Sequence, residues 1–214
     1  MSEKRILVVG ASQGTGALVV KAAIARGMRV TAFARSPEKL RLEHTFLDKR
    51  VGDFHDAASV AGVVPGHDAV IVTASATSFK TLRETKDFFS RGTRYVIDAM
   101  KASGVKRIVI LSALGVGESR PLVNFVARKL LVDGLLKAAF QDHAVQEEMV
   151  MQSGLEWVVA RPGRLTDEPG KKTYVKIPAI EKVPNAISRA DVADFLLEGA
   201  TTDEWVGKAV QIGG

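Results

Sequence analysis

A glycine-rich turn is the first feature of this 214-residue sequence that could do chemistry. Gly10, Gly14 and Gly16 stand between the apolar run Ile6–Val9 and a helix expected over Ala17–Arg26. We expect Gly10 to allow a tight strand-to-helix turn, Gly14 to let backbone approach a pyrophosphate, and Gly16 to let helix and sheet pack closely. The residues between them join the same phosphate site: Ser12, Gln13 and Thr15. This position predicts a dinucleotide site, with a plain tight turn as the alternative.

The end of the second predicted strand indicates which dinucleotide would bind. An NAD site places an acidic residue about 20 residues beyond the glycines, where it accepts a hydrogen bond from the ribose 2′-hydroxyl. No Asp or Glu lies between residues 27 and 37; Arg35, Ser36 and Lys39 stand there instead. Two cations and a hydroxyl suit a 2′-phosphate, and a guanidinium can also stack on adenine. The sequence therefore favours NADP(H) over NAD(H), against the alternative of a solvated cationic strand end.

Three further segments that follow predicted strands should complete the cofactor site. Asp53, with Phe54 beside it, could accept a hydrogen bond from the adenine amino group or could simply form a turn. Pro162 and Gly163 should let backbone pass close to the nicotinamide carboxamide, unless they only form a turn. Small residues after the fourth strand should wall the cofactor: Thr73, Ala74, Ser75 and Ala76.

Ser112 and His143 are the candidate catalytic residues. Ser112 ends a central strand, where its hydroxyl could orient the nicotinamide carboxamide or the acceptor, or could bond locally to backbone. His143 could donate a hydrogen bond to acceptor or cofactor, since histidine titrates near neutrality. A pair with Glu147, one helical turn away, is the alternative for this histidine.

Strand-like and helix-like segments alternate along the chain. Four short apolar blocks, rich in β-branched residues, are typical of central strands in a parallel sheet: Ile6–Val9, Ala69–Val72, Ile108–Leu111 and Trp157–Ala160. Weaker candidates bring the total to about seven strands: Arg29–Ala34, Arg50–Gly52 and Ala209–Ile212. Helical spacing of apolar residues lies between them. The pattern predicts a doubly wound α/β fold of the Rossmann type, one domain over residues 1–214 with a small substrate-side segment toward the C-terminus.

Composition excludes several function classes. The absence of cysteine excludes disulfides and thiolate chemistry, and the histidines show no metal-ligand spacing, so no metal site is expected. No apolar run approaches the ~20 residues of a membrane span, and residues 1–5 carry no cleavage site, so we expect a cytoplasmic protein without a membrane partner. The net charge of +6 favours anionic ligands, but the cations are dispersed, so nucleic acid is not expected. We expect a small-molecule acceptor and a monomer or weak homo-oligomer.

The order of these motifs along the chain resembles that of a known family. Beside the glycine turn and Arg35, the resemblance rests on Gly52-Asp53, Ser112-Ala113, Ser153-Gly154-Leu155, Arg161-Pro162-Gly163 and the run from Ser188 to Ala193. Together they resemble the atypical short-chain dehydrogenases of the NmrA-like, NAD(P)H-binding group. Within it the chain is most similar to the biliverdin reductase B family, also called flavin reductases, through Arg35 with Lys39, Ser112-Ala113 and Asp142-His143. It departs from that family at Gln13-Gly14 and at Pro162-Gly163, where the family has an earlier glycine and a Pro-Pro pair.

The resemblance implies hydride transfer from NADPH to flavins or tetrapyrroles. Ordinary short-chain dehydrogenases protonate a developing alkoxide with a Tyr-x-x-x-Lys pair, but neither Tyr95 nor Tyr174 is followed by Lys four residues later. A conjugated acceptor such as flavin, quinone or bilin spreads the incoming charge and has less need of a local acid. The alternative function is an NmrA-like regulator that senses the redox state of NADP(H) with little or no catalysis. An isomerase or epimerase that retains NADP also suits this fold.

Overall fold

The computed structural model describes residues 4–75 and 86–214 of the chain. Within those ranges eight strands form the main sheet: β1 (Arg5–Val9), β2 (Arg29–Ala34), β3 (Leu47–Val51), β4 (Ala69–Val72), β5 (Arg107–Leu111), β6 (Glu156–Pro162), β8 (Val175–Ile177) and β10 (Lys208–Gly213). Two short strands pair separately: β7 (Arg164–Thr166) and β9 (Ala186–Ser188). Residues 1–3 of the opening segment and Ala76 lie outside the described residues.

The helices are α1 (Gly14–Ala25), α2 (Ala57–Val63), α3 (Phe88–Ser103), α4 (Phe125–Ala127), α5 (Lys137–Met151) and α6 (Arg189–Thr201). A π-helix over Arg128–Leu135 continues directly from α4, and 3₁₀ turns cover Pro37–Lys39 and Gly117–Leu122. Among the described helices, none is long and apolar enough to cross a membrane.

The strand order of the main sheet is β3-β2-β1-β4-β5-β6-β10-β8. All neighbouring strands are parallel except β8 and β10, which are antiparallel. The seven predicted strands are all present in this sheet, which confirms the doubly wound α/β class. The third strand begins three residues earlier than the predicted Arg50–Gly52 segment and ends at Val51. The order in which successive strands are added to the sheet changes direction between β1 and β4. Folds of this kind bind their ligands at this switch point.

Both faces of the sheet are covered, so its central strands are apolar on both sides. Ile6 and Val8 of β1 point into one core, which packs against α1 and α6. Leu7 and Val9 point into the other, which includes residues of α2, α3 and α5. Because successive side chains of a strand alternate between faces, a strand buried on both faces must be apolar throughout.

Candidate functional site

A cleft of about 890 Å³ opens at the carboxyl ends of the strands, at the switch point in strand order between β1 and β4. Most of the predicted cofactor-binding residues line it: Gly10, Ser12, Gln13, Gly14, Thr15, Arg35, Ser36, Lys39, Asp53, Phe54, Ala74 and Ser75. They come from segments after four different strands, which meet because parallel strands end at the same edge of the sheet. Sequence reasoning thus predicted most of one continuous wall of this cleft.

The glycine turn brings the first turn of α1 to the cleft. Gly10 has a φ of 86°, and a side chain there would place its Cβ 2.6 Å from the Ala74 Cα. Gly14, with a φ of 56°, faces open space, since no described atom lies within 4 Å of where its Cβ would be. A Cβ on Gly16 would overlap the Gly10 carbonyl oxygen, so this glycine lets the helix pack on the turn instead of lining the cleft. The arrangement leaves backbone accessible to a ligand beside Gly14.

Two cations stand at one end of the cleft, after β2. Arg35 is exposed, and Lys39 is exposed at the end of the 3₁₀ turn that follows Ser36. Neither cation has a hydrogen bond or ion pair within the described part of the chain. The carboxylate that would repel a phosphate is absent from this strand end in the sequence. The end of β2 therefore presents two cationic side chains without ion-pair partners in the described chain, although Glu38 lies in the same turn.

Asp53 forms a turn and lines the cleft at the same time. Its Oδ1 accepts a hydrogen bond from the His55 backbone N–H at 2.9 Å. The His55 ring lies 4.5 Å from the Phe88 ring, edge to face, and its Nε2 is 2.8 Å from the Phe88 carbonyl oxygen. His55 and Phe88 both line the cleft, although sequence reasoning treated His55 only as a histidine without metal-ligand spacing. This end of the cleft is aromatic, which suits a flat ring.

Small residues wall the cleft after β4, as expected. Thr73 Oγ1 donates a hydrogen bond to the Val9 carbonyl oxygen at 2.9 Å and so fastens the end of β4 to the end of β1. Thr73, Ala74 and Ser75 line the cleft. The short side chains leave space for the cleft at the switch point between β1 and β4.

Ser112 is buried at the end of β5 with an unpaired hydroxyl. Its N–H donates to the Ala160 carbonyl oxygen at 2.8 Å, but no described residue hydrogen-bonds its Oγ. Its neighbour Leu111 lines the cleft, whereas Ser112 is not among the cleft-lining residues that the structure describes. A buried hydroxyl without a partner costs roughly 1–3 kcal/mol, so such groups usually have a reason to be there.

Pro162 and Gly163 lie beside the small sheet and outside the described lining of the cleft. The Pro162 carbonyl oxygen accepts a hydrogen bond from the Leu114 N–H at 2.8 Å. A Cβ on Gly163 would lie 2.5 Å from the Asn185 carbonyl oxygen, so the close approach that requires this glycine is to the segment before β9. Their predicted contact with the carboxamide thus stays a prediction, and their observed contacts are within the fold.

His143 does not titrate near neutrality, which corrects that expectation. Its ring stacks on the Phe89 ring with centroids 3.7 Å apart, and its Nδ1 is 2.8 Å from Gln146 Oε1. Burial lowers the pKa of His143 to about 4, against smaller raising effects of Gln146 and Glu147. Its hydrogen-bond partner is Gln146, because Glu147 is bound to Arg161 instead. His143 is outside the described cleft lining and neutral at pH 7.

Arg161 is a fully buried charge that sequence reasoning did not single out as an ion pair. Its guanidinium donates to both carboxylate oxygens of Glu147, at 3.1 and 2.7 Å, and to Glu118 at 3.2 Å. Burial alone would lower the pKa of Arg161, but the bonds to Glu147 and Glu118 outweigh it and raise that pKa above its usual value. The network joins β6, α5 and the 3₁₀ turn after β5.

The far end of the cleft carries an ion pair that the sequence did not indicate. Arg189 Nη1 donates to Asp167 Oδ1 at 2.7 Å, and both residues line the cleft together with Leu165. Arg189 is the first residue of α6 and Asp167 follows β7, so the ion pair links the start of α6 to the segment after β7.

Neither tyrosine belongs to the cleft lining within the described chain. Tyr174 donates its hydroxyl proton to Asp194 Oδ2 at 3.1 Å, and burial together with the Asp194 charge raises the pKa of Tyr174 above its ordinary value. Tyr95 packs against the core on the α3 side of the sheet. Among the described residues, no group of three or more His, Cys, Asp or Glu is placed to hold a metal ion.

The chain is similar to known NAD(P)H-binding proteins in sequence and in structure. Residues 10–203 match the model of a family described as NAD(P)H-binding. An uncharacterised chloroplast protein of Arabidopsis thaliana is 27% identical, over 97% of this chain and 68% of its own length. The anaerobillin reductase ChuY of Escherichia coli O157:H7 superposes with a TM-score of 0.80 at 22% identity, covering 98% of this chain and 96% of ChuY. A short-chain dehydrogenase/reductase of Veillonella parvula, solved in complex with NADP, has a TM-score of 0.78 at 18% identity, with 99% and 94% covered.

Proposed function

This chain belongs to the NAD(P)H-binding family, and from that premise we propose that it is an NADPH-dependent oxidoreductase acting on a conjugated ring acceptor: a flavin, quinone or bilin. The observation that carries the choice of cofactor is the pair of cationic side chains at the end of β2, neither of which has an ion-pair partner in the described chain. Arg35 and Lys39 line the cleft, and their side chains have no hydrogen bond or ion pair in the described chain; the exposed Glu38 between them in sequence pairs with neither. A 2′-phosphate would supply the missing negative charge. The Veillonella neighbour solved with NADP supports the same choice.

Residues in the cleft, and Ser112 next to it in sequence after the lining residue Leu111, suit the parts of this nucleotide. Backbone beside Gly14 and the first turn of α1 would hold the diphosphate, and the aromatic end at His55 and Phe88 would take the adenine, with Asp53 available to its amino group. The unpaired hydroxyl of Ser112 would orient the carboxamide at the other end. When bound, NADPH supplies the hydride, so the residues need only bind and position it.

The acceptor class is supported by the described lining of the cleft, which includes neither tyrosine nor His143. A carbonyl acceptor needs a nearby proton donor to stabilise the alkoxide as it forms. Tyr174 is hydrogen-bonded to Asp194, Tyr95 packs against the core, and His143 is neutral at pH 7. A conjugated ring delocalises the charge of the incoming hydride and can take its proton from water. The likeness to ChuY, an anaerobillin reductase of Escherichia coli O157:H7, supports an acceptor of this kind.

Nucleotide binding tests the cofactor. We expect 2′-phospho-AMP to bind more tightly than AMP, and Arg35→Ala to raise the Kd of NADPH by about tenfold, the loss of one charge-assisted hydrogen-bonded contact, while leaving the Kd of NADH unchanged. Arg94→Ala, an exposed arginine on α3, is the matched control. Equal affinity for AMP and 2′-phospho-AMP would refute the assignment.

Turnover tests the reaction. NADPH oxidation should exceed a cofactor-only blank when FMN, menadione or biliverdin is added, and an aliphatic ketone should give none. Tight NADPH binding without turnover on any ring acceptor would reject the oxidoreductase and favour the redox-sensing regulator. A different affinity for NADP⁺ and NADPH, with a captured protein partner, would then support that second function.

A further inference from the structure

Exposed large apolar side chains are concentrated in one segment of this protein. Among the described residues, five of them lie within eleven positions and are between 45% and 65% exposed: Phe125, Val126, Leu130, Leu131 and Leu135. We call these five residues the apolar patch. The others are scattered, on the β3 edge, on α5, in β8 and in the loop after it: Val51, Val145, Val175 and Ile180. Single exposed apolar residues are normal, but a contiguous group marks a binding surface.

A π-helix and a kink within it shape the segment that carries the apolar patch. A π-helix bonds residue i to residue i+5, so residues four and five apart are neighbours along its surface. Leu130 and Leu131 lie four and five residues after Val126, and all three are exposed. Leu135 follows a kink at Gly134, whose φ of −110° and ψ of −105° are not helical, and it is 60% exposed. Val132 is the residue of the π-helix that is buried, and it anchors the opposite side near Gly115. The backbone geometry thus presents the apolar patch outward.

The charges around the apolar patch are almost all positive. Arg128, Lys129 and Lys137 flank it, and Lys129 and Lys137 are exposed. Asp133 is the one acid between residues 120 and 137, and it accepts hydrogen bonds from Arg120 at 2.7 and 3.0 Å. This bond holds the pKa of Asp133 below its ordinary value. The acid is therefore already matched, and the remaining cations are available to an anionic partner.

A second copy of the chain is a poor match for this surface. A two-fold symmetric contact would place the apolar patch against itself and bring Arg128 and Lys129 of both copies together. Like charges at close range oppose association, and Asp133 cannot compensate because Arg120 occupies it. The surface of an anionic bilayer is complementary to the segment, because it has an apolar interior beneath a layer of negative headgroups.

We propose that the segment from Phe125 to Lys137 docks on the surface of an anionic lipid bilayer, with the apolar patch in the headgroup–acyl boundary and the basic residues on the phosphates. The lack of an apolar span in the sequence predicted no membrane partner, but a segment that lies on the bilayer surface requires no span. The segment is part of the connection that follows β5, at the same edge of the sheet as the cleft. Docking is independent of the proposed chemistry, because none of the patch residues lines the described cleft.

Vesicle flotation with the full chain tests the docking. We expect the protein to float with vesicles of equimolar phosphatidylcholine and phosphatidylglycerol and not with phosphatidylcholine alone. Leu130→Ser with Leu135→Ser should reduce the bound fraction by about tenfold, from the apolar area withdrawn. Lys129→Glu with Lys137→Glu should reduce it by at least about tenfold, since each cation near an anionic surface contributes roughly fivefold.

Matched controls are Val51→Ser, an exposed apolar residue on β3, and Lys101→Glu, an exposed cation on α3; neither should change flotation. Unchanged melting temperature and NADPH affinity in the patch variants would show that they remain folded. Loss of flotation only in the charge variant would mean non-specific electrostatic attraction and would overturn the proposal. An absence of flotation would also overturn the proposal, whatever the oligomeric state. Sedimentation would then show whether the chain is a monomer or a dimer that the leucine variant dissociates.

Discussion

The unpaired hydroxyl of Ser112 has a measurable consequence for the free and the bound protein. In the free protein the buried Oγ is unsatisfied, so Ser112→Ala should leave the free energy of unfolding unchanged or raise it by about 1 kcal/mol. In the bound protein the same change should lose a contact and weaken NADPH binding by about fivefold. Urea unfolding with and without NADPH measures both. A variant that is less stable without nucleotide would mean that the hydroxyl already has a partner.

His143 should make the protein sensitive to acid. Its pKa is about 4 in the folded state, mainly because of burial, whereas an unfolded histidine titrates near 6.5. The unfolded chain therefore binds a proton first, so stability is unaffected above pH 6.5 and is lost as the pH falls from 6.5 towards 4. The contribution is at most about 1.4 kcal/mol per pH unit.

The comparison with His143→Gln isolates that effect. The free energy of unfolding of the variant, followed by urea denaturation at several pH values, should fall less steeply below pH 6.5 than that of the native chain. Parallel curves would mean that the pKa of His143 is the same in the folded and the unfolded chain. His143 also shows why residue type alone cannot assign a role: the Phe89 ring that covers it lies 54 residues away in sequence.

At the scale of elements, a carboxylate from one helix caps the start of another. Asp142 on α5 is buried, and its oxygens accept from the backbone N–H groups of Phe89 and Ser90, at 2.6 and 3.1 Å, in the first turn of α3. Those N–H groups have no partners within the helix, and the negative charge also suits the positive end of the helix dipole.

Removal of that carboxylate should destabilise the protein. Asp142→Ala leaves two buried donors unpaired and should lower the free energy of unfolding by about 2–4 kcal/mol, measured by urea denaturation. Asp142→Asn keeps one acceptor oxygen and should cost less than the alanine variant. Equal stability of the alanine variant and the native chain would contradict the capping role.

The strands that are easiest to predict from the sequence are those buried on both faces of the sheet. β1, β4, β5 and β6 are covered on both faces, so each is a continuous apolar run that can be recognised without the fold. β7, β8 and β9 have three residues each and no distinctive pattern, and their positions depend on segments distant in sequence. The same distinction holds at the cleft: residues that follow strands were predictable, while Phe88, Leu165 and Arg189 arrive through tertiary packing.

For the whole molecule, a net charge of +6 and the free cations after β2 imply salt-dependent binding. NADPH carries a 2′-phosphate that NADH lacks, and attraction between exposed charges weakens as salt shortens the screening length. The Kd of NADPH should therefore rise more steeply with sodium chloride concentration than the Kd of NADH. Titrations over a salt series measure both slopes, and Arg35→Ala should bring them together. Equal slopes in the native chain would place the 2′-phosphate away from these cations.

The two outer strands of the main sheet also affect how the molecule behaves in a crowded solution. β3 places Asp48, Lys49 and Arg50 in succession along one border, and β8 at the other border is only three residues long. Charged or very short outer strands discourage a foreign strand from continuing the ladder. The sheet therefore ends without offering a template for fibril growth, although its interior strands are as apolar as those of many aggregating peptides.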